Sequence, residues 1–203
     1  KDVRVTIPID GKQNFSSIDN IVSKMRVLTL ESADNVVLSS DNIVKCNEDY
    51  IVIIDRLHSG QIHIFNIDGS YRATIAAKGR GPNEYLDMAS VQLSDDRIMI
   101  YSYHKQAVLY YDYNGKFIES NQLEYKPYNL HKTDNGYWGY VGFGSGQMKE
   151  RVVKMDGNGA IIDKYLPTKA KIYSVTEIND IFIECAEGIL VRESLMNEIS
   201  IIN

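Results

Sequence analysis

The chain has 203 residues, 44% hydrophobic and 24% charged, enough apolar material for a core and an ordinary balance for a folded domain. Its net charge of −5, with a densest basic stretch (Lys164 to Lys171) broken by Pro167, argues against nucleic acid, whose phosphates need clustered Lys and Arg. No apolar run approaches the ~18 residues that a bilayer-spanning helix requires.

The chain opens on charged Lys1-Asp2, with no signal-peptide pattern and no initiating Met. Val3 to Ile9 alternates as a strand, Ser16-Ser17-Ile18-Asp19 offers a cap for a short helix to about Lys24, and Met25 to Leu30 reads as a second strand. These elements form a lead-in over residues 1–41.

From Asn42 onward, short apolar runs alternate with turn residues. The first unit has strands at Asn42 to Cys46, Tyr50 to Asp55, Gln61 to Ile67 and Tyr71 to Ala77. The second has Ala89 to Ser94, Arg97 to Tyr103, Ala107 to Tyr113 and Lys116 to Leu123. The third has Tyr128 to Lys132, Tyr137 to Phe143, Arg151 to Met155 and Ala160 to Leu166. A fourth supplies Ile181 to Cys185, Gly188 to Glu193 and Glu198 to Ile202.

The turn dipeptides Asp68-Gly69, Asn114-Gly115 and Asp156-Gly157 follow each third strand, 46 and then 42 positions apart. A period of ~40–50 residues with four strands per unit is the mark of propeller blades. The predicted fold is all-β: a β-propeller-type array of four-stranded antiparallel blades in an open or incomplete ring. The blades fall at about 42–86, 87–126, 127–174 and 175–203, the last incomplete, in one structural domain. Such an arc is expected to expose two apolar blade faces and to leave the N-terminal strand without a partner, which favours a longer parent protein or self-association.

Cys46 and Cys185, 139 positions apart in apolar strands, read as buried free thiols. With no C-x-x-C pair, and no helix after the Gly-x-Gly of residues 79–81, neither metal nor cofactor is expected. No Gly-x-Ser-x-Gly elbow is present either.

The candidate ligand contacts are few. Lys78 to Tyr85 (KGRGPNEY) carries the chain between blades and places Arg80, Glu84 and Tyr85 on a rim. Arg80 and Glu84 could form a ligand-contacting ion pair; the preferred reading has Glu84 accepting backbone N–H bonds and Arg80 packing on the next blade. His58 and His104 occupy matching loops of successive units and so share one face of the disc, whereas His63, flanked by Ile62 and Ile64, is expected to point outward. Tyr137, Trp138 and Tyr140 cluster on one hairpin and could stack on sugar rings, although blade packing explains them as well.

The runs Ile51 to Asp55, Ile62-His63-Ile64-Phe65-Asn66-Ile67-Asp68-Gly69 and Lys78-Gly79-Arg80-Gly81-Pro82-Asn83-Glu84-Tyr85 resemble a bacterial six-bladed β-propeller family related to NHL-repeat and TolB-like proteins. The lead-in from Phe15 to Leu30-Glu31 is similar to that family's opening phrase. The resemblance implies an exported protein, periplasmic or at the cell surface, with room for a lipid anchor before Lys1. It also implies a parent nearly twice as long. With no assembled nucleophile or metal motif, the leading expectation is a non-catalytic module binding a protein, peptide or glycan. The competing expectation is an enzyme (metal-dependent hydrolase, lactonase or lyase) whose site lies at the ring centre and draws one residue from each of several blades.

Overall fold

The computed structural model describes residues 3–4, 26–34, 36–142, 149–168, 181–193 and 199–202. Among these there is no helix, and none long and apolar enough to cross a membrane. The short helix expected near Ser16 to Lys24 lies outside the described residues.

Four antiparallel four-stranded sheets form a four-blade, propeller-like array in which no sheet closes on itself. The first is β2 (Ile43–Cys46), β3 (Tyr50–Asp55), β4 (Gln61–Asn66) and β5 (Tyr71–Ile75). The second is β6 (Ser90–Leu93), β7 (Ile98–Ser102), β8 (Ala107–Tyr111) and β9 (Phe117–Gln122). The third is β10 (Asn129–Thr133), β11 (Gly136–Tyr140), β12 (Glu150–Met155) and β13 (Ile161–Pro167). The fourth combines β14 (Phe182–Cys185), β15 (Gly188–Arg192) and β16 (Ile199–Ile202) with β1 (Val3–Arg4).

That last pairing corrects the expectation of an orphaned N-terminal strand. Val3 pairs with Ile201 and Arg4 with Ser200, so β1 covers an edge of β16 whose N–H and C=O groups would otherwise lack strand partners.

Each inner strand of a blade is apolar at successive positions because its two faces meet two neighbours. Ile98 and Ile100 pack with Val52, Ile54, Ile62 and Ile64 of the first blade. The intervening Met99 and Tyr101 pack toward Tyr137, Val153 and Met155 of the third. Trp138 and Tyr140, alternating with Tyr137, join Phe182, Val191 and Ile202 of the fourth. The aromatic cluster of the β11 hairpin is therefore split between two interfaces. Tyr137 and Trp138, 2% and 3% exposed, serve blade packing.

The same two-sided burial overturns the outward placement of His63, which is 1% exposed. It shares a face with Ile51, Ile53 and Phe65, and Leu28, Leu30 and Val36 of the lead-in pack on that apolar cluster. Arg26 to Leu30 is thus no strand; it runs as irregular chain across the first blade's outer face, which is covered and not open as expected. The opposite end differs: the outward face of the fourth blade keeps Ile183 and Ile199 each 40% exposed. Cys46, expected to be buried, is exposed because β2 is an innermost strand with alternating half-exposed and exposed positions; both cysteines are free.

The outer hairpins repeat in detail. Gly69 N–H donates to Asn66 O, Gly115 N–H to Asp112 O and Gly159 N–H to Asp156 O, at 2.9, 3.0 and 3.1 Å. All three glycines have positive φ (94°, 78° and 81°), and in each of the first three blades the third and fourth strands shift register just before the turn. This is a tight turn closed by a left-handed residue and a bulge. The third turn therefore uses Gly159 and not Gly157. The sequence Asp156-Gly157-Asn158-Gly159 contains two turn dipeptides, and only the second glycine takes the left-handed position.

These tips also seat against the preceding element. A Cβ on Gly69 would meet Thr29 O at 2.3 Å, on Gly115 Thr74 O at 3.2 Å, and on Gly159 Leu123 Cβ at 2.8 Å. Thr74 and Leu123 belong to or adjoin the outermost strand of the preceding blade, so Thr29 stands where such a strand would. Backbone bonds agree: Glu31 N–H donates to Gly69 O as Tyr125 N–H donates to Gly159 O.

Two outcomes follow. Gly159→Ala should cost about 2 kcal/mol or more, through its positive φ and the Leu123 clash, whereas Gly157→Ala should stay within about 0.5 kcal/mol of wild type in denaturant titrations. Burial holds the His63 imidazole below its usual range, against an opposing pull from Asp55. The unfolded chain therefore takes up the proton first. The stability that neutral His63 contributes is complete above about pH 6.5 and is lost as pH falls toward the lower folded-state value. Thermal midpoints should drop between pH 7.5 and 5, and His63→Gln should shrink that drop.

Candidate functional site

The turns joining second to third strands, and the connectors between blades, lie on one face of the array. In the first blade the β3–β4 turn caps itself: Asp55 accepts from His58 N–H (3.0 Å), Ser59 N–H (2.9 Å) and the Ser59 hydroxyl (2.8 Å). Those bonds hold its carboxyl below the usual range even though burial opposes them. In the second blade Ser102 stands at the corresponding place, and the carboxylate is supplied by Asp87 from the preceding connector. Asp87 accepts from the Ser102 hydroxyl (2.8 Å), His104 N–H (2.9 Å) and Tyr103 N–H (3.2 Å), and it lies 3.4 Å from His104 Nδ1. Gln106 (φ 56°) takes the left-handed position that Gly60 (φ 67°) fills in the first blade. Its side-chain amide donates to Leu123 O and Glu124 O, anchoring the strained residue.

The connector itself folds back tightly. Gly79 N–H donates to Tyr85 O, Tyr85 N–H to Ala77 O, and Gly81 N–H to Glu84 Oε2 at 2.7 Å. Lys105 from the second blade inserts its ammonium among Gly81 O, Pro82 O and Glu84 O at 2.7–2.9 Å. The Tyr85 hydroxyl donates to Gly60 O at 2.7 Å and the Tyr111 hydroxyl to Asn83 O at 2.6 Å. Burial raises the pKa of both phenols, that of Tyr111 to about 12, so both remain donors at physiological pH.

Between these loops opens a cavity of about 340 Å³. Its walls come from Arg56 and Lys78 of the first blade, Asp87, Tyr103 and His104 of the second, Tyr128, Asn129 and Tyr140 of the third, and Ile181 at the start of the fourth. Tyr103 and Tyr128 stack with ring centroids 5.4 Å apart at 19°. His104 meets Tyr103 edge-on at 5.3 Å, and Lys126 Nζ lies 4.0 Å from the Tyr103 centroid. On the inner wall the Tyr140 hydroxyl donates to Glu193 Oε1 (3.0 Å), and Arg151 pairs with Glu193 Oε2 at 3.2 Å. Burial lifts the Glu193 pKa even against Arg151 and Tyr140, so the pair and its hydroxyl form a buried polar joint between the third and fourth blades.

A wider cavity of about 1080 Å³ opens on the opposite face, beside the turns at Ser94 to Arg97, Thr133 to Asp134 and Cys185 to Gly188. Its charges largely satisfy one another, with Arg97 bonded to both Asp96 and Glu119. At the inner strands His131 Nε2 lies 3.0 Å from Glu184 Oε1. Burial nevertheless keeps that imidazole below its usual range. Among the described residues no group of three or more His, Cys, Asp or Glu is placed to hold a metal ion.

Of the residues singled out from the sequence, Tyr85 and His104 line the loop-face cavity. His58 does not; it is exposed, with Nε2 3.9 Å from Asp41. Arg80 is exposed and makes no ion pair with Glu84, whose carboxylate is turned to the backbone of its own loop. Tyr137 and Trp138 are buried away from this cavity. The sequence reading missed Asp87, Tyr103, Tyr128 and Asn129. The usable signal was a carboxylate just ahead of an innermost strand, in a unit whose β7–β8 turn lacks its own Asp.

No curated protein matches the chain. Among solved structures it is similar to a protein of Bacteroides fragilis NCTC 9343, described as a "Putative exported protein", with a TM-score of 0.69 and 18% identity. The match covers 82% of this chain and 48% of that one, so the chain spans about half the length of that relative. At this identity the likeness establishes the fold alone. The family model that matches, described as "Domain of unknown function (DUF4934)", extends over residues 4–203, and the chain belongs to that family.

Proposed function

We propose that this chain is part of an exported, non-catalytic β-propeller module that binds a protein, peptide or glycan ligand on its loop face. One observation carries the reading: three blades and the start of the fourth contribute to a single cavity of about 340 Å³, a size suited to a small ligand group, and a side-chain carboxylate, Asp87, organises its loops. Export draws support from the name of the Bacteroides relative, and a six-bladed parent from its greater length and the Gly-Arg-Gly-Pro-Asn-Glu-Tyr connector; a lipid anchor ahead of Lys1 rests on the family resemblance alone.

A second reading, an enzyme of hydrolase, lactonase or lyase type, draws on the His104 imidazole that Asp87 orients within the same cavity. Turnover of any array-identified ligand, abolished by His104→Ala, would favour it over simple binding.

The binding reading is tested by probing glycan and peptide arrays with the labelled chain, its Asp87→Ala variant and an Asp112→Ala control. Asp112 caps the distant β8–β9 turn through Asn114 N–H and Lys116 N–H. Both substitutions should cost about 1–3 kcal/mol of stability, and only Asp87→Ala should abolish retention. No retention of any ligand by the wild-type chain, or equal retention by Asp87→Ala, would remove the basis for this function.

A further inference from the structure

Resting on that reading, we propose that the ligand group is a sugar ring bearing a carboxylate, with the ring laid on Tyr128 and the carboxylate taken by Lys78.

The platform is the first argument. Tyr128 is 39% exposed at the cavity wall, backed by Tyr103 in a near-parallel stack. Tyr103 is itself fixed, its N–H bonded to Asp87 and its ring approached by Lys126. A rigid, half-exposed aromatic face presents apolar area at little cost in ordering, which suits the C–H face of a pyranose.

Charge is the second argument. The chain carries −5, yet the cavity wall holds two cations, Arg56 and Lys78, against one carboxylate. That carboxylate, Asp87, is already occupied by a hydroxyl, two backbone amides and His104, so it offers little to a ligand. Lys78 is exposed and has no acidic partner among the described residues. Lys78 is therefore the charge that the cavity wall offers to a ligand, and it favours an anion.

Shape separates a sugar from a peptide. Recognition of an extended peptide by backbone pairing needs a strand edge along its length. Apart from loops, the cavity touches strands only at their ends, at Asn129 where β10 begins and at Tyr140 where β11 finishes. A compact ring fits the space better.

The test is calorimetric titration with a galacturonic acid trisaccharide, the galactose trisaccharide of the same linkage, and an acidic peptide ending in Phe. The uronate should bind about tenfold or more tightly than the neutral sugar, and added salt should erode that advantage. Lys78→Gln should abolish the difference and leave neutral-sugar binding as it was. Tyr128→Ala should lose both sugars, and Tyr128→Phe should restore them. Equal affinity for the two sugars, a difference that survives Lys78→Gln, uronate binding that survives Tyr128→Ala, or peptide binding in place of sugar would overturn the inference. The binding function would still stand if an array ligand of another class were lost in Asp87→Ala; it falls with this inference if no ligand of any class is retained, or if Asp87→Ala retains the ligand equally.

Discussion

A blade of this chain is apolar on both faces, and the need to cover both organises most of what is seen. Val52 and Ile54 look one way from β3 while Ile51 and Ile53 look the other, and β7 repeats the division with Ile98 and Ile100 against Met99 and Tyr101. A sheet of this kind cannot stand alone in water, since each fully buried aliphatic side chain represents about 1.5–3 kcal/mol of transfer free energy. The face of the first blade turned away from the second is covered by the lead-in. Leu28, Leu30 and Val36 supply the apolar cover, Thr29 sits over the Gly69 turn, and Glu31 donates to Gly69 O while its carboxylate accepts from Tyr71 N–H at 2.7 Å. The segment reproduces the contacts of an outermost strand without being one.

Apolar faces slide easily past one another, so register between blades rests on polar contacts at the blade margins. Tyrosine does much of this. The hydroxyls of Tyr85, Tyr101 and Tyr111 donate to the carbonyls of Gly60, Pro127 and Asn83, each in a turn or connector, and that of Tyr113 accepts from Asn47 Nδ2 of the first blade. The inner strands β6 and β10 are stitched by side chains: Gln92 both donates to Lys132 O and accepts from Lys132 N–H, and Asn129 and Ser90 bond across the same boundary. Among the described residues, Tyr85, Tyr101, Tyr110, Tyr111, Tyr113, Tyr137 and Tyr140 are buried in such packing. Tyr103 and Tyr128 are different because their stack reaches solvent in a cavity.

What could be read from the sequence was whatever depends on neighbours along the chain. Strands such as Tyr50–Asp55 follow from apolar runs bounded by turns, and the four-strand period from the turns themselves. Properties set across the chain were not legible. Met25 to Leu30 alternates like a strand, but among the described residues Arg26 to Leu30 pairs with no strand and Thr29 lies over the Gly69 turn. His63 alternates with isoleucines, a pattern that means outward in a one-faced sheet and nothing of the sort in a blade. Gly157 and Gly159 have equal local claims, and Leu123, thirty-odd residues earlier, decides between them. Glu84 accepts a backbone N–H of its own loop, as the preferred reading had it, but the sequence does not reveal that Lys105 enters that loop from the next blade.

The exchange of Asp55 for Ser102 explains why a cavity forms where it does. In the first blade the carboxylate that caps the β3–β4 turn belongs to that turn, so the turn is independent of the connector beside it. In the second blade the carboxylate comes from Asp87, and the turn bearing Tyr103 and His104 is tied to the connector of residues 76–89. Lys105, at the end of that turn, returns the tie through three carbonyls of the same connector. Turn and connector therefore behave as one body, which carries Lys78 and Tyr103 to the cavity wall, where Tyr128 of the third blade stacks on Tyr103. A group held between the two would press on both blades at once, so whatever occupies this cavity also reinforces the boundary that the apolar faces close but do not register.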